Sequence, residues 1–335
     1  VTDLTIIIVN YKSAELILDC LRSVYQNTEK IALEIIVVDN DSGDFSKEKI
    51  LSEFKEVKWI EMNYNSGFAR ANNEGLRQSK SDVILLLNSD TQIIDNAVEE
   101  CYRSFVSSEF IACGAQLLNG DLTPQISGNY FMKGGLNYLL PLPYFGRFIK
   151  WLGNLFNAKK PNVPDSNSTV EVDWINGAFL MVKKNAIEKA GLLDEDFFLY
   201  AEEAEWCSRL KKVGRLCIFG EFKVVHLQGE TAATTFDSQD KAYSNLFDRK
   251  GLQIMLSNLV RIRKQFGAGW FLAILFFYVI DIPIFFIGLI FSKIFSGKKS
   301  KYSFVQFNGY CKNISALLKM MRVIIRNKPH FYKVL

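Results

Sequence analysis

Asp39 and Asp90 stand at or just past the ends of two runs rich in branched apolar residues, Glu34–Asp39 and Val83–Leu87, and Asp41 follows two residues after Asp39. Carboxylates fixed at strand ends can hold a divalent cation, and such a cation bridges a diphosphate to protein oxygens in an otherwise acidic crevice. Asp90, in LLLNSDT (Leu85–Thr91), has its direction set by the strand before it. An aspartate in the turn after a strand is an equally ordinary use of the residue. NSGFARANNEG (Asn65–Gly75) opens a helix whose first backbone N–H groups suit an anion. A capped helix after a turn accounts for Asn65, Ser66 and Gly67 just as well.

Glu202, Glu203 and Glu205 form a second acidic group. On a helix Glu202 and Glu205 share a face and Glu203 points elsewhere. Arg209, four residues beyond Glu205, offers it a solvated helix pair. That leaves Glu203 to serve as a general base, in a setting partly buried by the apolar FFLY run before it, which would raise its pKa. Three glutamates at a helix start also complement the helix dipole. His226 closes the strand pattern Lys223–Val225, where a core histidine and a metal ligand both remain open.

The elements that must position these residues alternate along the first ~115 residues, judging by periodicity. Strand patterns occur at Leu4–Val9, Glu34–Asp39 and Val83–Leu87, with a weaker one at Val57–Glu61. Helical patterns fill Ala14–Tyr25, Lys47–Phe54 and Ala69–Gln78. Strands apolar on both faces belong to a parallel sheet covered by helices, and ligands of such sheets bind at the carboxyl ends of the strands. Asn10–Tyr11, Asp39–Ser42 and Asn88–Thr91 are therefore expected along one crevice. Asn119 to Val170 has weak periodicity and reads as a long excursion of loops with a short helix.

The formal charge of +4 on 335 residues is too small for a nucleic-acid-binding face. Cys20, Cys101, Cys113, Cys207, Cys217 and Cys311 are scattered without disulfide-like spacing and read as small core residues in a reducing compartment. No signal-peptide pattern precedes the first strand, so the catalytic part is expected to face the cytoplasm. VNYKSAEL after the first strand lacks the G-x-G-x-x-G of a nicotinamide dehydrogenase and the glycine-rich basic loop of a sugar-nucleotide pyrophosphorylase.

TIIIVNY (Thr5–Tyr11), EIIVVDNDS (Glu34–Ser42), NSGFARANNEG, LLLNSDT, WINGAF, FFLYAEEAEWCSRL and VVHLQG follow one another as they do in family-2 glycosyltransferases. The chain resembles the bacterial rhamnosyltransferase-like members most, over roughly Val1 to Gly229. The resemblance implies a GT-A fold, a doubly wound, Rossmann-like mixed α/β sheet. It also implies an inverting transfer dependent on Mn2+ or Mg2+. The donor would be a dTDP- or UDP-linked sugar such as dTDP-rhamnose, and the acceptor a polyprenyl-linked glycan of cell-surface polysaccharide synthesis. By matching position, Asn10, Tyr11, Asp39, Asp41, Gly67, Arg70, Asn73, Asn88 and Ser89 would bind the nucleotide-sugar. Asp90 and His226 would hold the metal, and Glu203 would be the catalytic base. Trp174, Asn176, Gly177 and Glu202 would wall the acceptor side. Two positions depart from the family pattern: Asn88 replaces the first carboxylate of the D-x-D motif, and Glu202-Glu203 replaces the usual E-D. Those departures are the support for a rival reading, a catalytically silent relative that binds a glycan or a partner enzyme.

From Gly267 to Phe291 the chain carries one charge, Asp281, flanked by Arg261, Arg263 and Lys264 before and by Lys293, Lys298, Lys299 and Lys301 after. The length suffices for one membrane crossing, but basic residues on both flanks oppose a single span. Asp281-Ile282-Pro283 is expected to break the helix. A re-entrant or surface-lying hairpin, which keeps both basic ends at anionic headgroups, therefore accounts for the segment better than a single span or a soluble core helix. The expected organisation is a catalytic domain over 1–229, a helical connector over 230–266, an apolar membrane-associated segment over 267–296 and a basic tail over 297–335. The expected location is the cytoplasmic face of the cell membrane, as a peripheral, monotopic or single-span protein.

Overall fold

The β-branched runs of the N-terminal third become the buried half of a large mixed sheet in the computed structural model. It describes residues 2–155, 162–163, 165–227, 236, 245–296 and 301–334. Lys298, Lys299 and the expected 229/230 boundary lie outside the described residues. In chain order the elements are β1 (Leu4–Asn10), α1 (Ala14–Gln26), β2 (Leu33–Asp39), α2 (Ser46–Glu53), β3 (Lys58–Glu61), α3 (Gly67–Gln78) and β4 (Val83–Leu87). Then come β5 (Thr91–Ile93), α4 (Ala97–Val106), β6 (Ala112–Leu118), β7 (Gly128–Asn129), α5 (Phe145–Leu155), β8 (Asn162–Val163), β9 (Thr169–Val172) and β10 (Trp174–Ile175). The chain continues through β11 (Phe179–Lys183), α6 (Lys184–Ala190), α7 (Glu202–Leu210), β12 (Leu216–His226), α8 (Arg249–Phe266), α9 (Ala268–Ser296) and α10 (Phe304–Arg326).

Two compact units result. The first comprises Val1–Tyr130, Asn162–Phe198 and Glu202–Thr231, and the second Phe131–Pro161, Leu199–Ala201 and Ala232–Leu335. The division differs from the continuous 1–229 domain expected from the sequence. Part of the long excursion, including α5, packs with the C-terminal helices, because its apolar side chains find their partners there.

In the first unit the sheet runs β3-β2-β1-β4-β11-β6-β12-β5, with β9 on β12. β3, β2, β1 and β4 are parallel, and β11 enters antiparallel between β4 and β6. Ile6, Ile8, Ile35, Val37 and Leu85 are almost completely buried in one cluster with side chains of α1 and α4. Burial of each is worth about 1.5–3 kcal/mol relative to exposure. A separate three-stranded sheet joins β10, β7 and β8. The fold is the mixed α/β sheet of the GT-A class.

In the second unit Asp248 caps α8 by accepting from Gly251 N, and Ser303 with Gln306 forms a capping box on α10. Arg261 on α8 is 3% exposed. Its guanidinium donates to Gln265 Oε1 and the Tyr138 hydroxyl and lies 4.9 Å from the Phe131 ring centroid and 6.0 Å from that of Phe266. Arg263 donates to the Ile325 carbonyl at the end of α10. Two of the three cations before the apolar segment are thus spent on internal packing, whereas the sequence reading had them facing headgroups.

The expected helix break at Asp281–Pro283 does not occur, and α9 is continuous through Pro283. Proline removes one backbone bond and crowds the preceding turn, a cost of about 3 kcal/mol in a helix interior. Here its ring lies on the exposed side of the helix, where no neighbour contests the space. The opposite side is held by Phe271, Ile274, Tyr278, Asp281, Phe285 and Leu289, all buried. The Tyr310 hydroxyl of α10 donates to the Tyr278 carbonyl at 2.9 Å in the turn before the proline.

Arg261→Ala is expected to lower the stability of the full chain by about 2–4 kcal/mol, through lost cation–π contacts and unpaired buried polar groups. Arg261→Lys should recover only part of it, since an ammonium cannot reproduce the planar fork. Thermal unfolding in mild detergent measures both, and wild-type stability in the alanine variant would refute the assignment.

Candidate active site

The parallel register of β1 and β2 sets Asn10 beside Asp39 at their carboxyl ends. Asn10 is fully buried and donates to Asp39 Oδ1 at 2.7 Å and to Ser42 Oγ at 3.0 Å. Its own oxygen accepts from Ser13, starting α1. Ser42 in turn accepts from Lys12 N and donates its N–H to Asp39 Oδ2. Asp39 is thereby fixed in direction and half-buried, while Asp41 is exposed in a left-handed conformation with φ 67°. Tyr11 lies half-buried beside them, under the Lys12 ammonium.

The start of α3 is tied to the same strand ends. Asn40 Oδ1 accepts from Ser66 N and Oγ, and Asn40 Nδ2 donates to Asn65 Oδ1. Gly67 has φ 78°, and a Cβ there would come within 2.2 Å of the Phe198 carbonyl oxygen. Arg70 donates to the Glu195 carbonyl and to the Tyr64 hydroxyl. Asn73, expected on the ligand, is completely buried and uses both ends of its amide on Leu193. It holds the 193–195 loop to α3 and has no surface left for a ligand.

The metal-side residues meet through β5 and the end of β12, where His226 pairs with Thr91. His226 Nε2 lies 3.3 Å from Asp90 Oδ1 and 3.4 Å from Asn88 Nδ2. Gln125 donates through Nε2 to Asn119 Oδ1 and to the His226 carbonyl. Its Oε1 must therefore accept from His226 Nδ1–H, at 3.0 Å. This assigns the hydrogen to Nδ1 and turns Nε2 toward Asp90. A carboxylate oxygen and an imidazole lone pair that face each other need a proton or a cation between them. Both are buried, Asp90 at 6% exposure and His226 at 1%. The pair suits a divalent cation whose other ligands come from phosphate oxygens and water. No group of three or more His, Cys, Asp or Glu side chains able to hold a metal exists among the described residues. Ser89 is buried in the same turn. Gln125 carried no recognisable signal in the sequence, because its role exists only once β12 is in place.

Trp174, Asn176 and Gly177 come from β10 and the turn into β11. Asn88 N donates to the Ala178 carbonyl, and Gly177 lies against Glu203, where a Cβ on the glycine would stand 3.5 Å from the glutamate Cβ and Cγ. The loop is braced by Asn176, whose side chain donates to Ile126 O and accepts from Ala178 N. Trp174 is half-buried.

The three glutamates divide differently from the sequence reading. Glu203 is half-buried. Glu205 is not solvated: it is 7% exposed, and its carboxylate accepts from Arg209 Nε and Nη2 at 2.7–3.0 Å. Arg209 also donates to the Ala190 carbonyl, so the pair fastens α7 to the end of α6. Glu202, expected on the acceptor wall, is 3% exposed, with Oε2 lacking a hydrogen-bond partner. Burial pushes its carboxyl well above the usual range, and the neighbouring Glu203 charge adds to the effect. Periodicity correctly separates Glu203 from the other two but cannot say which face is the inner one.

Residues 5–168 match the sequence profile of Glycosyl transferase family 2. A low-salt glycan biosynthesis hexosyltransferase of Haloferax volcanii is 30% identical over 219 residues, 63% of this chain and 62% of that protein. The chain thus spans about three-fifths of that relative's length. An N-acetylglucosaminyl-diphospho-decaprenol L-rhamnosyltransferase of Mycobacterium tuberculosis is 22% identical over 236 residues, 64% of this chain and 73% of the relative. Among solved structures, a mannosyltransferase of Pyrobaculum calidifontis in complex with GDP-Man and Mn2+ superposes with a TM-score of 0.54 at 14% identity. That likeness covers 97% of this chain and 83% of the other.

A raised Glu202 pKa has a defined consequence for stability. The folded protein binds this proton more tightly than the unfolded chain does, so the contribution is complete below the ordinary value of 4.5 and is lost as pH rises toward the folded value. Glu202→Gln mimics the protonated form and removes that loss. Its melting temperature relative to wild type should therefore be higher at pH 7.5 than at pH 4.5, and a difference independent of pH would contradict the assignment.

Proposed function

We propose that this chain, whose residues 5–168 match the profile of glycosyl transferase family 2, is a member of that family and transfers a hexose from a nucleotide-diphosphate sugar to a glycan acceptor at a membrane surface. The observation that carries the reading is the convergence at the strand ends: Asn10 and Asp39 on one side, Asp90 and His226 on another, and Gly177 against Glu203 on a third. The rhamnosyltransferase relative supports a deoxyhexose such as rhamnose, and the carrier in this reading is dTDP or UDP. Its decaprenol-linked acceptor supports a polyprenyl-linked acceptor here.

In this reading Asp39 and Asp41 bind the nucleoside, and Asp90 with His226 Nε2 holds Mn2+ or Mg2+. A bound divalent cation supplies stabilisation of the charge that builds on the departing diphosphate. Asn88 lends an amide where the family pattern has a carboxylate, which lowers the negative charge beside Asp90. Glu203 accepts the proton of the acceptor hydroxyl as that oxygen attacks the anomeric carbon opposite the diphosphate, giving inversion in one displacement. Burial makes Glu202 hold its proton more tightly than usual, so Glu203 is the glutamate of the pair better placed to act as base.

Membrane association rests on α9. Leu272, Phe276, Ile280, Ile287, Phe291 and Ile294 form one exposed apolar stripe at spacings of three, four and seven. The helix is about 43 Å long at 1.5 Å per residue, and by length and composition it could cross a bilayer. Its other face, however, packs on α8 and α10, and α10 carries Lys312, Lys319, Arg322 and Arg326. A transmembrane α9 would draw those charges into hydrocarbon. A monotopic protein lying on the cytoplasmic leaflet keeps the stripe in lipid and the cations at headgroups.

Two variants test the chemistry. Asp90→Ala should abolish the manganese-dependent thermal stabilisation by a UDP- or dTDP-sugar. Glu203→Gln should retain that stabilisation while turnover falls by about 10²–10⁴, the loss typical of a missing general base. Donor binding without any release of nucleotide diphosphate by the wild type would instead favour a catalytically silent relative.

A further inference from the structure

Within the second unit a cavity of about 270 Å³ opens between the start of α5, the residue before α8's cap and the start of α10. Its rim carries three cations, Arg147, Lys150 and Lys301, while Leu142, Phe247 and Tyr302 form an apolar wall. Tyr302 is packed edge-on against Phe285 at 5.3 Å and Phe247 at 5.9 Å, so the wall is rigid. Among the described residues no carboxylate pairs with any of the three cations. Lys301 lies over the Tyr302 ring at 5.2 Å, and cations without a carboxylate partner around a concave site call for an anion.

The surroundings say what carries that anion. Arg147 and Lys150 occupy one stripe of α5, and Phe148, Trp151 and Leu155 occupy the next, at 51%, 58% and 61% exposure. Ring contacts lead on into α9 through the half-buried Phe145 and Phe277. Trp151 stacks on Phe148 at 6.0 Å, Phe148 on Phe145 at 6.4 Å, Phe145 on Phe277 at 5.8 Å, and Phe277 meets Phe276 at 5.8 Å. An anion bound at the rim thus has an apolar track beside it that leads to the exposed stripe of α9. A free anion has no use for such a track, whereas an amphiphile uses both parts.

We propose that this cavity binds the phosphate group of a membrane lipid, and that α5 is a second membrane-embedding helix, its ring ladder lying among the lipid chains. Arg147, Lys150 and Lys301 hold the phosphate by charge-assisted hydrogen bonds. The inference rests on the reading of the second unit as membrane-associated.

Flotation of the full chain with vesicles tests it. Three compositions are compared: phosphatidylcholine alone, phosphatidylcholine with phosphatidic acid, and phosphatidylcholine with oleate at matched surface charge. Wild type should favour the phosphatidic acid vesicles over the other two. The triple variant Arg147→Ala, Lys150→Ala, Lys301→Ala should lose that preference, by up to about a hundredfold in affinity at the ~1 kcal/mol per surface cation usual at anionic membranes. It should still bind neutral vesicles and nucleotide-sugar as wild type does, which shows that it is folded. Trp151→Ala with Phe148→Ala should weaken binding to all three vesicles. Equal binding of the triple variant and wild type to phosphatidic acid vesicles overturns the site. So does equal preference for oleate, which would mean charge alone, and so does full competition by millimolar inorganic phosphate, which would mean a free-phosphate site. Wild type that binds no vesicle at all removes the membrane reading together with the proposal.

Discussion

The pairing of Thr91 with His226 at the end of the sheet is the constraint on which the candidate site depends. It brings together two residues separated by more than a hundred positions and leaves their side chains in a buried pocket that only one arrangement satisfies. Gln125 accepts from His226 Nδ1 because its amide nitrogen is committed to the Asn119 side chain and the His226 carbonyl. With that tautomer set, Nε2 faces Asp90, and the two acceptors form a ready pair for a cation. Asn88 lies against the same imidazole nitrogen through its amide. A carboxylate at position 88 would add a second negative charge beside Asp90.

The half of the sheet that could be read from the sequence is the half whose information is local. β1, β2 and β4 are each continuous apolar runs, so their burial on both faces and their parallel pairing follow from the residues themselves. From that topology the placing of Asn10, Asp39 and Asn88 at the carboxyl ends of neighbouring parallel strands also follows. β5 and β11 could not be read in the same way, because strand direction and edge pairing are not encoded within three or five residues. The same limit explains Asn73 and Glu205. Asn73 looked like a ligand-binding amide because it lies in a motif, but its partner is a backbone 120 positions away. The periodicity of α7 grouped Glu202 with Glu205 correctly, yet only the packed structure identifies that shared face as the inner one.

The second unit shows why composition is a poorer guide to helices that are apolar all round. A proline and an aspartate in the middle of an apolar segment suggested two short helices and a turn. Tertiary packing favours one helix, with the proline outward and Asp281 inward. The cations before the segment point to headgroups only when they are counted. Traced to their contacts, Arg261 stabilises an aromatic cluster and Arg263 caps the end of α10. Among the described residues, cations available for a membrane surface stand on α5 and α10, which the charge pattern along the sequence does not single out, as well as at Lys301, which it does.

The two proposed sites would handle anions by opposite electrostatics. In the first, Asp39, Asp41, Asp90 and Glu203 outnumber the cations near them, Lys12 over the Tyr11 ring and Arg70, which is bonded to the Glu195 carbonyl and the Tyr64 hydroxyl. A nucleotide diphosphate brought into such a site is repelled unless a divalent ion accompanies it, so donor binding in the proposed reaction is tied to the metal by charge alone. In the second, Arg147, Lys150 and Lys301 surround a cavity that offers no acidic side chain. A phosphate there needs no metal, and its binding should be insensitive to chelators. The two sites therefore respond differently to the same reagent, and removing divalent ions separates occupation of one from occupation of the other. That independence follows from residue charge, and it holds whatever sugar or lipid each site takes.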